Sequence, residues 1–372
     1  MNPSTDLEWL HFDLHGIVGV RVHAGAPAAL QLKTMMGSFA VDHEVPGDIV
    51  VGADHELMLD AAVLEDELAY NDSAVHFRRS HVQVVHQDSQ FRVNGAGELL
   101  TAVLPLLDLV MVSRGAAMIH AATVGYRGRA IAIPAAGGTG KTSTMAKLMR
   151  RPGFSFMGDD WGFLTADGRL LNYEKPMFIK PHHRPIYPHL FQGSRKPLVP
   201  VRLSRPVGRL TTVVHPHIVK YPRLADLSRR MSPEHRIVSA RQALPGVRIT
   251  QDAPLLTAVF VERYEGARTR VAERDPEWMV QRMLGNFNIE MPAFSREVIA
   301  GLAATSHLAL GSFFEAKAAV LAGALADVPS FLVQVPSVYT PDIASDDIVG
   351  MLEDVLDTLV DAGQAPPGVT VA

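Results

Sequence analysis

The stretch Ala135-Ala-Gly-Gly-Thr-Gly-Lys-Thr142 decides how this chain of 372 residues is interpreted. It follows an apolar, strand-like segment, Arg129 to Pro134, and precedes a helical pattern from about Lys141 to Arg150. In that position successive backbone N–H groups point into one concavity, and the helix N-terminus adds a partial positive charge. Ala135 stands where the usual pattern has a first glycine, which an alanine with negative φ tolerates. The sequence therefore predicts a P-loop for a nucleoside triphosphate.

The residues of this loop have separate predicted parts. The three glycines let the backbone turn tightly and approach an anion without a Cβ clash. Lys141 would reach the β- and γ-phosphates, and Thr142 would give its hydroxyl to Mg²⁺. The alternative is a glycine-rich turn with an incidental Gly-Lys-Thr. The predicted nucleotide-binding residues are Ala136, Gly137, Gly138, Thr139, Gly140, Lys141, Thr142 and Ser143.

Two adjacent carboxylates follow the loop. Gly158-Asp159-Asp160 ends a second apolar strand-like segment, Phe154 to Met157. Beside a triphosphate, one carboxylate can hold Mg²⁺ and the other can accept the proton of an attacking hydroxyl. Repulsion between the two would raise the pKa of one of them, which suits a base. The alternative is one metal-binding acid beside a solvated turn residue. His120, on the strand before the loop, has the spacing of a core histidine.

The segment from Ile119 to Leu164 resembles the catalytic domain of HPr kinase/phosphorylase and its relatives, as a divergent member. The resemblance is carried by the strand histidine His120, a β-hairpin, the loop that ends at Thr142, a helix, and the pair Asp159-Asp160. The family shows a strand histidine, a loop of Gly-x-Ser-Gly-x-Gly-Lys-Ser type and an Asp-Asp pair at nearly the same distances. The domain also resembles that of ATP-dependent phosphoenolpyruvate carboxykinase.

This resemblance implies roles for individual residues. Lys141 would bind phosphate, Thr142 would hold Mg²⁺, and His120 would lie near the transferred group. Asp160 would be the general base, and Asp159 would assist the metal. The catalytic residues expected are therefore Asp160, Asp159, His120 and Lys141, and the expected metal ligands are Thr142 and Asp159.

The chain also departs from the family pattern. The family's loop serine is Gly137, Thr142 replaces the magnesium-binding serine, and the sequence shows no counterpart of the downstream glutamate motif. The last departure argues against a reverse phosphorylase activity and against HPr as the substrate. Arg241 or Arg248 would supply the family's charge-stabilising arginine, although no motif fixes which of the two, and the alternative is a solvated positive face. Lys180 or Arg184 would contact phosphate or an anionic acceptor, and the alternative there is an exposed basic turn.

The function that follows is an ATP- and Mg²⁺-dependent kinase. It would transfer the γ-phosphoryl group to an alcohol hydroxyl, on a small natural product or on a peptide serine. Three alternatives stay open: a carboxykinase relative, a nucleotide-dependent regulatory or binding protein without turnover, and an HPr serine kinase proper. The sequence identifies neither the acceptor nor the oligomeric state, and a homo-oligomer is among the options.

The composition indicates which kinds of partner the protein binds and in which compartment it is found. The formal net charge of −4 gives no global positive field that would favour nucleic acid or an anionic membrane. The absence of cysteine excludes disulfides and thiolate metal sites. The most apolar stretch, Leu99 to Val112, is too short to span a bilayer and contains Asp108, which predicts a buried helix. We expect a cytoplasmic protein.

The predicted fold is α/β, or α+β overall, with a phosphoenolpyruvate carboxykinase-like P-loop domain. Residues 1–96 read as a strand-rich domain in which 56–70 is a helix candidate, and residues 97–362 as the kinase domain. Within the latter, 195–248 form a basic, proline-rich loop region, and the helices after residue 277 read as packing elements. Residues 363–372 are expected to be a loose tail.

Overall fold

The computed structural model describes residues 8–53, 61–192 and 236–361. It is a mixed α/β structure, consistent with the α+β class, and it divides into two compact units, Met1–Lys175 with Arg248–Ala372, and Pro176–Val247. The predicted domain boundaries near residues 96 and 362 stay predictions. Most of the basic loop region, residues 195–235, and the predicted tail lie outside the described residues.

The first sheet of the larger unit is formed between residues 9 and 95. Its strands are Trp9–Leu14 (β1), Val18–His23 (β2), Ala40–Val41 (β3), Ile49–Val51 (β4), Ala62–Leu64 (β5), Leu68–Tyr70 (β6), Ala74–Phe77 (β7), Val82–Gln87 (β8) and Gln90–Gly95 (β9), and a helix, Ala29–Met36 (α1), follows β2. They lie in the order β3-β1-β2-β4-β9-β8-β7-β6-β5. Phe12 and Leu14, at alternate positions of β1, are both fully buried, as expected of a strand with one face on the core.

The helix predicted within residues 56–70 is wrong where the structure describes it. β5 and β6 form an antiparallel hairpin there, with Leu64 opposite Leu68. Glu65 and Asp66 both have positive φ and turn the chain back between the two strands. Adjacent left-handed residues are typical of tight hairpin turns and incompatible with a continuing helix.

The apolar stretch after this sheet is the buried helix that its composition predicts, Leu99–Ser113 (α2). It packs against β9 and against the first strand of the second sheet. Asp108 is fully buried in it, and its carboxylate accepts a hydrogen bond from the Met118 amide at 2.9 Å. The Lys317 ammonium lies 2.6 Å from the same carboxylate. No helix in the described part of the chain is long and apolar enough to cross a membrane.

The second sheet carries the predicted loop. Its strands are Ala116–Tyr126 (β10), Arg129–Pro134 (β11), Phe154–Gly158 (β12), Trp161–Thr165 (β13), Arg169–Leu171 (β14), Asp252–Tyr264 (β17), Arg270–Arg274 (β18) and Ser330–Pro336 (β19). β10 and β11 form the predicted hairpin. β11 and β19 both run parallel to β17, so their carboxyl ends lie at one edge of the sheet, where open α/β sheets bind ligands.

Four helices pack against the second sheet within the same unit: Lys141–Leu148 (α3), Pro276–Glu290 (α5), Leu310–Leu325 (α7) and Pro341–Asp361 (α8). A further helix, Ala293–Ala304 (α6), packs against α2 and against β7 of the first sheet. α3 packs against α8, and the Lys147 ammonium lies 2.9 Å from Asp342 and 2.7 Å from Asp346 at the start of α8. The Asp275 carboxylate caps α5 by accepting from the Trp278 amide at 2.7 Å.

The smaller unit holds a two-stranded ribbon. Met177–Ile179 (β15) pairs antiparallel with Arg236–Val238 (β16), and a short helix, Ala240–Ala243 (α4), follows. Ser239 accepts a hydrogen bond from the Gln242 amide and caps that helix.

Candidate functional site

The loop between β11 and α3 has the strand-to-helix context that the sequence predicts. Gly138 and Gly140 have φ of 82° and 116°, a region that favours glycine. Ala135 has negative φ and is fully buried, so its methyl group is tolerated. The Thr139 hydroxyl donates to the Ala136 carbonyl at 2.8 Å and thereby supports the turn from within.

Lys141, the first residue of α3, is folded back over the loop. Its ammonium donates to the carbonyl oxygens of Ala135 at 2.5 Å and Ala136 at 3.2 Å. Burial lowers the pKa of this lysine, although the charges of Asp160, Glu290 and Asp159 oppose that effect. The charges of three carboxylates thus act on one ammonium at the loop.

Thr142 contacts the first aspartate of the pair. Its hydroxyl donates to Oδ2 of Asp159 at 3.1 Å. Burial raises the pKa of Asp159 from its ordinary value of 3.8 to about 6, and the neighbouring charge of Asp160 acts in the same direction. The other carboxylate oxygen, Oδ1, is buried and has no hydrogen-bond partner in the part of the chain that the structure describes. The hydroxyl oxygen of Ser143 is also buried without a hydrogen-bond partner among the described residues.

These oxygens fit a magnesium ion. Mg²⁺ prefers oxygen ligands and commonly takes one or two from protein side chains and the rest from phosphate and water. The unpartnered Oδ1 of Asp159 and the hydroxyl of Thr142 supply such ligands. Within residues 8–53, 61–192 and 236–361, this site included, no three His, Asp or Glu side chains are grouped to hold a metal on their own.

The second aspartate has a different environment. Oδ1 of Asp160 lies 2.9 Å from Nε2 of His120, and Oδ2 accepts a hydrogen bond from the ammonium of Lys175. Burial acts to raise the pKa of Asp160, but the charge of Lys175 and the hydrogen bond with His120 outweigh it and hold that pKa well below its usual range. The pKa expected to rise in the pair is therefore that of Asp159, while Asp160 stays ionised.

Strand register explains why His120 meets Asp160. β10 pairs with β13 so that His120 lies opposite Trp161, and the Ala121 amide donates to the Asp160 carbonyl at 3.1 Å. The imidazole is buried and packs edge-on against the Trp161 ring, with centroids 5.0 Å apart. The predicted neighbours of the loop, His120, Asp159 and Asp160, are thus brought together with Lys141 and Thr142.

The tautomer of His120 follows from Asn286 on α5. The amide nitrogen of Asn286 donates to the His120 carbonyl at 2.9 Å and lies 3.2 Å from Nδ1. An amide nitrogen donates only, so Nδ1 is the acceptor. On this hydrogen-bond assignment the ring proton is on Nε2 and points to Asp160.

Glu290, one helical turn after Asn286, reaches the loop itself. Its Oε1 accepts a hydrogen bond from the Gly137 amide at 2.6 Å, and its Oε2 lies 4.0 Å from Nε2 of His120. Residues four apart lie on one helix face, so α5 presents two polar groups to the site. The interpretation of this helix as packing alone is wrong at its last turn.

Neither Glu290 nor Lys175 was identified as a site residue from the sequence. Lys175 is a buried lysine four residues after β14, and burial of a lysine requires an anionic partner. Asn286 and Glu290, the first and last residues of Asn286-Phe-Asn-Ile-Glu290 in α5, were a detectable signal because residues four apart share a helical face. The candidates Lys180 and Arg184 belong to the smaller unit, where the Arg184 guanidinium donates to the Phe191 carbonyl at 3.2 Å.

No family model matches the chain, and no curated protein matches it.

Proposed function

We propose that this protein is an ATP- and Mg²⁺-dependent kinase that transfers the γ-phosphoryl group to an alcohol hydroxyl. The observation that carries the proposal is the contact of Thr142 with Asp159 next to an ionised Asp160. A phosphate loop alone binds nucleotide. The same loop beside a second, separately held carboxylate has the parts that phosphoryl transfer needs.

The loop residues would bind the triphosphate. The amides of Gly137 to Gly140 and the N-terminus of α3 suit phosphate oxygens, and the Lys141 ammonium would leave the loop carbonyls for the β- and γ-phosphates. Bound Mg²⁺ would neutralise charge on the β- and γ-oxygens, held by Thr142 and Asp159. Asp159 would have to be deprotonated for this, so binding of the ion would lower its raised pKa.

Asp160 would orient the acceptor. Because Lys175 and His120 keep its carboxylate ionised, it can accept a hydrogen bond from the attacking hydroxyl over the whole physiological pH range. In a loose transition state the bond from the attacking oxygen to phosphorus is barely formed, so the hydroxyl keeps its proton until late in the reaction. A weak base such as the Asp160 carboxylate is therefore sufficient if it is correctly placed. His120 would hold the carboxylate through its Nε2 proton.

The acceptor class rests on the family resemblance. A hydroxyl of a small natural product or a peptide serine fits a relative that lacks the downstream glutamate motif. A cytoplasmic location, where ATP and Mg²⁺ are supplied, goes with this proposal.

The test is a turnover screen. Purified protein is incubated with MgATP and a panel of hydroxyl-bearing small molecules and serine peptides, and phosphorylated products are sought by mass spectrometry with ADP release as the rate. The proposal expects a phosphorylated alcohol and faster ADP release with that acceptor. Stabilisation by MgATP without any phosphorylated product across the panel would support a binding protein without turnover instead. Exposed Asp327→Asn is the matched control for variants at the two aspartates.

A further inference from the structure

The phosphate cradle of the loop is already engaged by a side chain of the protein. The carboxylate of Glu290 accepts the Gly137 amide proton at 2.6 Å, a charge-assisted hydrogen bond of the kind a phosphate oxygen would make. A Cβ at Gly137 would lie 3.2 Å from Oε2 of the same carboxylate, which would have to move by a few tenths of an ångström to make room for it. The side chain is 22% exposed and therefore partly shielded from water.

The helix that carries Glu290 is held firmly in this place. Asn286, one turn earlier, is buried and bonded to the His120 carbonyl, and Phe287 is buried against Trp161 with ring centroids 5.4 Å apart. The Met291 amide donates to the Phe287 carbonyl and closes the last turn. The carboxylate is thus directed at the loop by packed backbone.

We propose that Glu290 sets the nucleotide affinity and selectivity of the loop by competing with the terminal phosphate for the Gly137 amide. This rests on the proposed function, because it takes the loop to be a triphosphate site. One N–H cannot serve two anions, and two negative groups at that distance repel each other. Any phosphate that uses this amide must first displace the carboxylate.

Position decides which phosphate is affected. Glu290 lies toward His120, with 4.0 Å between Oε2 and Nε2, and His120 is bonded to Asp160 on the proposed acceptor side. The γ-phosphate must face that side for transfer to occur. The competitor is therefore matched to the γ-phosphate, and a nucleotide that lacks this group meets less competition.

The experiment compares Glu290→Gln with the exposed control Glu297→Gln. Affinities for MgATP, MgADP and AMP are measured by calorimetric titration, with melting temperature as the check on folding. Loss of the charge-assisted hydrogen bond and of the repulsion should tighten MgATP binding by about tenfold. MgADP should gain less, AMP should not change, and Glu297→Gln should match the wild type. Glu290→Ala should reproduce the gain, which separates charge from amide hydrogen bonding.

The outcomes are distinct. Unchanged or weaker MgATP binding in both Glu290 variants would overturn the inference. A tightening of equal size for MgADP would overturn its assignment to the γ-phosphate. Tighter MgATP binding in a protein that phosphorylates no acceptor would support the inference while the kinase proposal fails. Absence of nucleotide binding in all variants would overturn both.

Discussion

Asp159 and Asp160 are adjacent in the chain, yet their carboxyl groups have opposite surroundings. Asp159 is buried with one oxygen on Thr142 and the other without a partner, and its pKa is raised to about 6. Asp160 is bonded to His120 and Lys175, and its pKa lies well below the usual range. In the function that we propose, these different surroundings suit Asp159 to a cation and Asp160 to a hydroxyl.

Removal of the Lys175 charge should move the acid limb of the activity profile. In Lys175→Met the main group that lowers the Asp160 pKa is lost, so this pKa rises and the carboxylate is protonated at a higher pH. We expect the pH dependence of kcat to fall off earlier on the acid side, with less change at pH 8. Exposed Lys33→Met serves as the control, and an acid limb identical to the wild type would contradict the assignment.

Because the pKa of Asp159 is raised in the folded state, replacing its carboxylate by a neutral side chain should stabilise the nucleotide-free protein. A carboxyl whose folded pKa is above its unfolded value destabilises the fold at pH values above both, and has no effect below both. Asp159→Asn should therefore raise the free energy of unfolding at pH 8 by on the order of 2–3 kcal/mol, and by little near pH 3. Denaturant titrations at the two pH values measure this. An equal effect at both would be contrary to the prediction.

Bound Mg²⁺ should stabilise the ionised form of Asp159 in the folded protein. With a non-hydrolysable ATP analogue, Mg²⁺ should raise the melting temperature of the wild type more at pH 8 than at pH 5, because the ion must displace the Asp159 proton at low pH. In Asp159→Asn the magnesium-induced rise in melting temperature should lose the share of its pH dependence that comes from titration of Asp159, and keep only the share that comes from titration of the nucleotide. A magnesium effect that is the same in both proteins would remove Asp159 from the ligand set.

The buried ion pair beneath the site should behave as a coupled unit. Lys317 lies 2.6 Å from Asp108, and its ammonium is 3.1 Å from the centroid of the Phe287 ring. Lys317→Met should lower the free energy of unfolding by about 3–5 kcal/mol, because it leaves a buried carboxylate unpaired. The double variant Lys317→Met, Asp108→Asn should recover much of this loss. Additive losses in the double-mutant cycle would show that the two charges are not coupled.

Local patterns made the loop region predictable. The hairpin of β10 and β11, the glycines with positive φ, the helix that begins at Lys141, and the strand before Asp159 all depend on neighbours within a few residues. Such features are encoded by turn residues and by hydrophobic periodicity. The composition of α2 likewise indicated burial, because fifteen residues of this apolarity have no stable exposed face.

Residues that reach the site from elsewhere were not predictable in the same way. Lys175, in the segment after β14, contacts Asp160, and Glu290 contacts Gly137 although the two are 153 residues apart in the sequence. Their approach is determined by helix and sheet packing, which leaves no spacing rule in the sequence. The hairpin of β5 and β6 was missed for a local reason, since its turn uses Glu65 and Asp66 rather than glycine or asparagine.

The measurement that tests the central claim most directly compares Asp160→Asn with the wild type for both MgATP affinity and the rate of γ-phosphoryl transfer to the best acceptor. Thr142 is hydrogen-bonded to Asp159 rather than to Asp160, and asparagine keeps the size of the Asp160 side chain, so the dissociation constant for MgATP should change by no more than a few-fold. The transfer rate should fall by about 100-fold or more, the size of effect expected when a positioned proton acceptor is lost. A variant that binds MgATP and transfers phosphate at the wild-type rate would contradict the account.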